Sequence, residues 1–369
     1  MAETRQLYPG GNTCYGFYSF YDQIIPPDAR RIMIIKGGPG VGKSSFMRSI
    51  AEEMGQRGFD AELLQCSSDN GSLDGVVFPQ IQVAMIDGTA PHIVDPKNPG
   101  CVDEIIHLGD FWHEEGMLRG KEAVLTLNQE VGRLFARAYR FLRAAKEIRE
   151  AQVQLSQAGF DAGRANILAE MLIEEFLGGK PVALTPGGSR RLFASAITPM
   201  GPDNHLETVF GRAKKLTVIK GRPGSGRSTL LGKVARAAVE RGLAAEEYYC
   251  GFDPQRLEHL LLPETGIGFI TVNEYHHFGE ESADRTVEMD GCLAREVLLG
   301  YERAAEDGRR LFDELLDRAV ACIKLAKETH DRMEQYYIPN MDFAAIDRLR
   351  GEILARILRY AETAKVKAM

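Results

Sequence analysis

The sequence predicts an α/β protein built from two similar units in tandem, and three observations carry that prediction. An apolar, β-branched run, Ile32-Met33-Ile34-Ile35, enters a glycine-rich loop and leaves it as a helical segment, Phe46 to Met54. The same strand–loop–helix pattern returns 184 residues later at Leu216 to Thr229. Beyond the first pattern the chain changes to helical spacing, with Val131, Leu134, Phe135, Ala138, Phe141 and Leu142 three and four residues apart.

The first loop has a defined chemistry. Gly37, four residues, Gly42, Lys43 and Ser44 fit G-x-x-x-x-G-K-[ST] at every specified position. Glycines let backbone N–H groups converge on phosphates, a lysine places a point charge on the β/γ-phosphates, and a hydroxyl can ligate Mg²⁺. Gly37, Gly38, Pro39, Gly40, Val41, Gly42, Lys43, Ser44 and Ser45 are therefore the expected binding loop for ATP with Mg²⁺. The implied architecture is two tandem P-loop NTPase domains, mainly parallel sheet with helices on both faces, each with an appended helical segment. The expected boundaries are 1–180 and 190–369.

Length and composition agree. At 369 residues, 44% hydrophobic and 26% charged, the chain is long enough for two domains with real cores. No apolar run approaches a membrane span of about 18 residues, and Met1-Ala2-Glu3-Thr4-Arg5 lacks a signal peptide's apolar region, so a cytoplasmic protein is expected. The net charge of −7 argues against a general nucleic-acid binder. The six cysteines are widely spaced, which predicts reduced, mostly buried thiols.

In chain order, an aromatic, glycine-rich start ends at the turn Pro26-Pro27-Asp28. After the loop helix, Gly55 and Gly58 give a stop, and Ala61 to Cys66 reads as a second strand. A polar loop holding Ser67, Ser68, Asp69 and Asp74 is expected before a third strand, Val83-Ala84-Met85-Ile86, which ends in Asp87. A carboxylate at that place can join Ser44 on Mg²⁺, and an Asp capping the turn Asp87-Gly88 is the alternative. Thr89 to Gly100 reads as an active-site loop. Helices are expected over Lys121 to Gln157, with Arg133, Arg137 and Arg140 as a solvated stripe, and over Asp161 to Leu177. Gly178 to Ser189 reads as a linker.

The repeat holds without a gap from Ile32/Leu216 to His92/His276, with 18 of 61 pairs identical, Cys66/Cys250 and Asp69/Asp253 among them. Downstream, Lys146-Glu147 and Asp161 return as Lys327-Glu328 and Asp342 at an offset of 181. Gly221, Gly224, Gly226, Arg227, Ser228 and Thr229 form the second loop. There Arg227 replaces Lys43 and Thr271 replaces Asp87. A planar fork does not reproduce a compact ammonium, and a threonine brings the metal no negative charge. The second site is thus expected to lack phosphoryl-transfer chemistry while keeping a phosphate cradle.

The two loops, together with Cys66-Ser67-Ser68-Asp69, Asp87 to His92 and Leu108-Gly109-Asp110-Phe111-Trp112, resemble an uncharacterised family of bacterial tandem P-loop ATPases over essentially the whole chain. The resemblance implies ATP binding and leaves the protein or small-molecule partner open. Arg227 departs from the lysine of a working loop.

ATP hydrolysis through the first site is the leading expectation, with Lys43 and Asp87 on the triphosphate and metal. Gly88 stands where many ATPases carry a water-orienting Glu, so Asp69 and His92 are the candidates for that task. The second half would be regulatory or architectural. Asp87-Gly88 with Pro91 keeps a nucleotide-type kinase open, and the altered second loop keeps a non-hydrolysing switch open. His107, His113, His259 and His277 fall at no metal-ligand spacing.

Overall fold

Strand polarity in this protein follows from connection length. The computed structural model describes residues 2–90, 93–276 and 278–368. The first half contributes β1 (Thr4–Leu7), β2 (Gly10–Thr13), β3 (Gly16–Ser19), β4 (Arg31–Lys36), β5 (Ala61–Gln65), β6 (Leu73–Phe78), β7 (Val83–Asp87) and β8 (Asp103–His107). Its helices are α1 (Lys43–Gln56), α2 (Glu114–Arg119), α3 (Lys121–Gln157) and α4 (Ala162–Leu177). The second half contributes β9 (Ser189–Phe193), β10 (Ser195–Thr198), β11 (Gly201–Asn204), β12 (Lys215–Lys220), β13 (Ala245–Tyr249), β14 (Leu257–Leu262), β15 (Ile267–Thr271) and β16 (Arg285–Glu288). Its helices are α5 (Leu206–Phe210), α6 (Arg227–Glu240), α7 (Arg295–Leu299), α8 (Glu302–Tyr337) and α9 (Phe343–Ala368).

Two six-stranded sheets result, ordered β1-β5-β6-β7-β4-β8 and β9-β13-β14-β15-β12-β16. Each is mixed rather than mainly parallel. In the first, β1-β5, β4-β7 and β4-β8 pair parallel while β5-β6 and β6-β7 pair antiparallel, and the second sheet repeats the scheme. A parallel crossover needs a dozen or more residues. The links on either side of β6 are too short for one, and the second closes through a left-handed residue, Gln82 (φ 53°), matched by Gly266 (φ 70°) in the other copy. The expected polar loop at 67–74 is thus shorter than predicted, and Asp74 lies in a strand, buried.

By contacts the chain divides into two compact units, residues 1–10, 19–136 and 322–369 in one and 11–18 and 137–321 in the other. These cut across the contiguous boundaries expected from the repeat. Unit 1 packs Met33, Ile35, Val76 and Met85 of its sheet and Phe46, Ile50 and Met54 of α1 against Ile346, Ile353 and Ile357 of α9, which belongs to the second half of the sequence. Unit 2 packs Leu230, Leu231 and Val234 of α6 against Ala169, Leu172 and Leu177 of α4, from the first half. Burial of each such side chain contributes about 1.5–3 kcal/mol, so the exchanged helices are integral to both cores.

The joints repeat as faithfully as the cores. In unit 2 the Asp161 N–H donates to the Cys292 carbonyl (2.8 Å), and in unit 1 the Asp342 N–H donates to the Phe111 carbonyl (2.8 Å). Asp161 and Asp342 then cap α4 and α9 by accepting from the N–H groups of Arg164 and Ala345. Among the described residues no helix is long and apolar enough to cross a membrane, and all six cysteines are free thiols.

Candidate functional site

The two glycine loops share a backbone and differ in their side chains. In the first, Gly42 (φ 88°) precedes α1, and in the second Gly226 (φ 91°) precedes α6; neither helix has a side-chain cap. The left-handed turn requires glycine. It leaves the first N–H groups of each helix directed into its loop, where the helix's positive end favours an anion.

At the first loop Lys43 opens α1, and its Nζ folds back on the carbonyls of Gly37 (3.3 Å) and Gly38 (2.9 Å). The same ammonium lies 3.5 Å from Asp87 Oδ2 at the end of the neighbouring strand β7. Asp87 Oδ1 accepts from the Thr89 N–H (2.8 Å), so the carboxylate both faces Lys43 and caps its own turn. Ser44 Oγ accepts from the Leu73 N–H (2.9 Å). Pro39 belongs to the loop turn, Val41 is buried beneath it and Ser45 is exposed. The sequence pattern passed over Thr89, whose hydroxyl donates to the Gly37 carbonyl (3.1 Å).

The remaining candidates divide. Asp69 accepts from the Ser72 hydroxyl (2.7 Å) and pairs with Lys327 (3.3 Å), a turn-holding arrangement that Asp253 reproduces with the Gln255 N–H (3.1 Å) and Arg256 (3.0 Å). His92 lies outside the described residues, as does His277. Arg133 pairs with Glu130 and Arg137 lies over the Phe141 ring, both on their own helix, and both arginines are exposed, as in a solvated stripe.

The end of α8 forms a wall that the sequence reading did not foresee. A Cβ on Gly38 would meet the Tyr337 ring at 2.5 Å, and one on Gly40 would meet Ile338 at 3.0 Å and Glu334 at 3.2 Å. His330 and Lys327 lie about one and two turns before Glu334. Burial alone would lower the Lys327 pKa, but Asp331 and Asp69 outweigh it and raise it. His330 is lowered by burial. The offset of 181 that links Lys146 to Lys327 was the available signal, although it does not say which loop the helix meets.

At the second loop the wall is α3. Gly224 is approached by Val153 and Ser156, which occupy the repeat positions of Glu334 and Tyr337. Serine stands here in place of tyrosine, and a cavity of about 790 Å³ extends from Gly221–Thr229 between Arg149, Glu258 and Thr271. Among the described residues, several buried atoms around it have no hydrogen-bond partner: Ser225 Oγ, Arg227 Nη1, Glu258 Oε2, Thr271 Oγ1 and Ser195 Oγ. Burial lowers the Arg227 pKa, with Glu258 partly offsetting and Arg149 adding to the effect.

One bulge shapes both sites. In β14 the partners of Tyr248 and Tyr249 are His259 and Leu257, so Glu258 is the extra residue; in β6 Asp74 occupies the same place opposite Leu64 and Gln65. The bulge turns Glu258 toward the side that carries His259, and Glu258, His259 and His276 come within 4.8 Å of one another. That cluster suits donation better than metal ligation. His259 Nδ1 accepts from the Thr271 N–H (3.1 Å), which puts the neutral ring's proton on Nε2. The Asn273 amide oxygen accepts from the N–H groups of Tyr275 and His276, so its NH₂ faces His276 Nδ1 (3.3 Å), which also lies 3.4 Å from Glu258 Oε1. Burial, then His276 and Arg227, push the His259 pKa well below its ordinary value, which keeps the ring neutral.

Comparison with protein-family models, with curated proteins and with solved structures finds no match for this chain.

Proposed function

We propose that both units are P-loop NTPase domains in tandem and that the protein is an ATPase acting through Gly37–Ser45, with the second half regulatory or architectural. The observation that carries this reading is the convergence of Lys43 Nζ and Asp87 Oδ2, 3.5 Å apart, at the uncapped N-terminus of α1. A cation, a carboxylate and free helix N–H groups at one point are what a metal-bound triphosphate requires. Ser44 and Asp87 would hold Mg²⁺, which when bound offsets charge developing on the transferred phosphoryl group. In this reading Lys43 exchanges its two loop carbonyls for phosphate oxygens. Asp87 is held in orientation by the Thr89 N–H, and the Thr89 hydroxyl fixes the Gly37 carbonyl. Asp69 and His92 stay the candidates for orienting water.

A nucleotide-dependent switch is the second reading, favoured by the Tyr337, Ile338 and Glu334 wall on the loop. A loop that rearranges around a triphosphate would then move the end of α8.

Purified protein with Mg-ATP separates the readings. Phosphate release without any acceptor, lost at least a hundredfold in Lys43→Ala, supports the ATPase. ADP formation only when an acceptor is supplied would make it a kinase, and tight binding with negligible turnover would make it a switch. Absence of any Mg-ATP binding overturns all three.

A further inference from the structure

Loss of the lysine and the aspartate does not make the second loop inert. What replaced them is a different set of recognition groups. Arg227 stands at the head of α6 with Nη1 buried and unpartnered, beside helix N–H groups that no side chain caps. A buried guanidinium nitrogen without a hydrogen-bond partner is costly, and Glu258 offsets only part of the burial of this charge, so the arrangement calls for an anion. A second guanidinium, Arg149, also lines the cavity, held 3.9 Å over the Phe312 ring. Ser225 and Thr271 are buried around the same space, with hydroxyls that have no hydrogen-bond partner among the described residues. The cavity also presents unpartnered acceptors, Glu258 Oε2 and Gln152 Oε1, which call for hydroxyl or amino donors. Its volume of about 790 Å³ is that of a small-molecule site, far more than one phosphate fills.

We infer that this cavity binds a phosphorylated small molecule bearing hydroxyl or amino groups, without a divalent metal, with its phosphate on Gly221–Ser228 and Arg227. Independence from metal follows from the residues. Thr271 offers a hydroxyl where a metal site would offer a carboxylate. Arg227 is always charged, and its fork can hold two phosphate oxygens directly. The inference shares with the proposed function the reading of a glycine loop as a phosphate cradle, but it needs neither Mg²⁺ nor turnover.

The test uses the full chain carrying Lys43→Ala, so that the first loop contributes little, in buffer containing EDTA. ADP and ribose 5-phosphate are titrated by calorimetry. The expected result is saturable one-to-one binding of at least one of them, weakened tenfold or more by Arg227→Met and also by Ser156→Tyr, which restores the ring found over the first loop. Binding of both assigns recognition to the sugar phosphate, and binding of ADP alone assigns it to a nucleotide. Circular dichroism of each variant shows whether it has folded, and either variant alone suffices for the test. No heat from either probe, binding that appears only with Mg²⁺, or equal affinity in folded Arg227→Met overturns the inference. Loss of Mg-ATP turnover in Lys43→Ala with the second cavity still titrating, or the reverse, separates the failure of one reading from the failure of the other.

Discussion

The Gly37–Ser45 and Gly221–Thr229 loops are one backbone with two chemistries. Both turn through a left-handed glycine into an uncapped helix, and both lie beside a bulge that projects a carboxylate, Asp74 or Glu258. At the first, every charged group has a partner: Lys43 has two carbonyls and Asp87, and Asp87 has the Thr89 N–H. At the second, Arg227 Nη1, Glu258 Oε2 and three hydroxyls have no hydrogen-bond partner among the described residues, while Glu258 Oε1 lies 3.4 Å from His276 Nδ1. Under the proposed reading, the shared backbone would set a common class of ligand, a phosphate, while the differing side chains and the covering helix would decide whether metal takes part. Tyr337 against Ser156 is one such difference, a ring packed on Gly38 at the first loop and a serine beside the cavity at the second.

The largest effects should come from the exchanged helices. Ile357 is fully buried against α1 and Leu172 against α6, so Ile357→Ala and Leu172→Ala should each cost about 2–5 kcal/mol. Their location matters more than their size. Ile357→Ala, late in the sequence, should raise amide hydrogen exchange in α1, and Leu172→Ala, early in the sequence, should raise it in α6. If each variant instead loosened only its own half of the sequence, the exchange of helices would be wrong.

That exchange marks the limit of what the sequence made legible. The loops, α1, α3 and the strand ending in Asp87 could be read from residue pattern, because each is a local matter of periodicity and glycine placement. Helix α3 was placed at Lys121–Gln157 and observed there. Its destination could not be read. At 1.5 Å per residue its 37 residues rise about 55 Å, more than the diameter of a small domain, so the arm it carries meets a core that no local pattern specifies. The mixed sheet was missed for a related reason. Leu73–Phe78 contains Asp74, which reads as part of a loop, yet all six residues are buried and the strand pairs with β5 on one side and β7 on the other, Asp74 being the bulged residue. At the candidate site, Lys43 and Asp87 were identified and meet, whereas Thr89 and the α8 wall depend on tertiary packing alone.

Exchanging the two chemistries sharpens the comparison at the next level. Asp87→Thr gives the first loop the hydroxyl found in the second, and it should lower Mg-ATP turnover about a hundredfold, the order seen when one group that stabilises transferring charge is removed. Thr271→Asp does the reverse. A carboxylate there would face Arg227 as Asp87 faces Lys43, and affinity for ADP in EDTA should fall several-fold as that pair forms. Calorimetry and phosphate release read the two arms. Turnover indifferent to Asp87→Thr would leave the carboxylate as a turn cap only, the role its bond to Thr89 already serves.

The smallest effect concerns acid. His259 occupies the position that Gly75 holds in the other unit, and burial followed by His276 and Arg227 depresses its pKa well below 6.5. The unfolded chain therefore takes up a proton as pH falls through about 6.5, while the folded chain does not. The stability tied to this ring is present in full above that pH and is lost below it, at about 1.4 kcal/mol per pH unit until the folded ring itself titrates. Unit 1 has no ring at this position, and its depressed histidine, His330, is about one-third exposed, so solvent weakens its contribution. Hydrogen exchange at pH 5 should thus rise in β14 and β15 before it rises in β6 and β7, and His259→Gln, which can still accept from the Thr271 N–H, should remove the difference. Equal acid sensitivity of the two sheets in the parent protein would mean that the His259 ring is reached by water and titrates like any surface histidine.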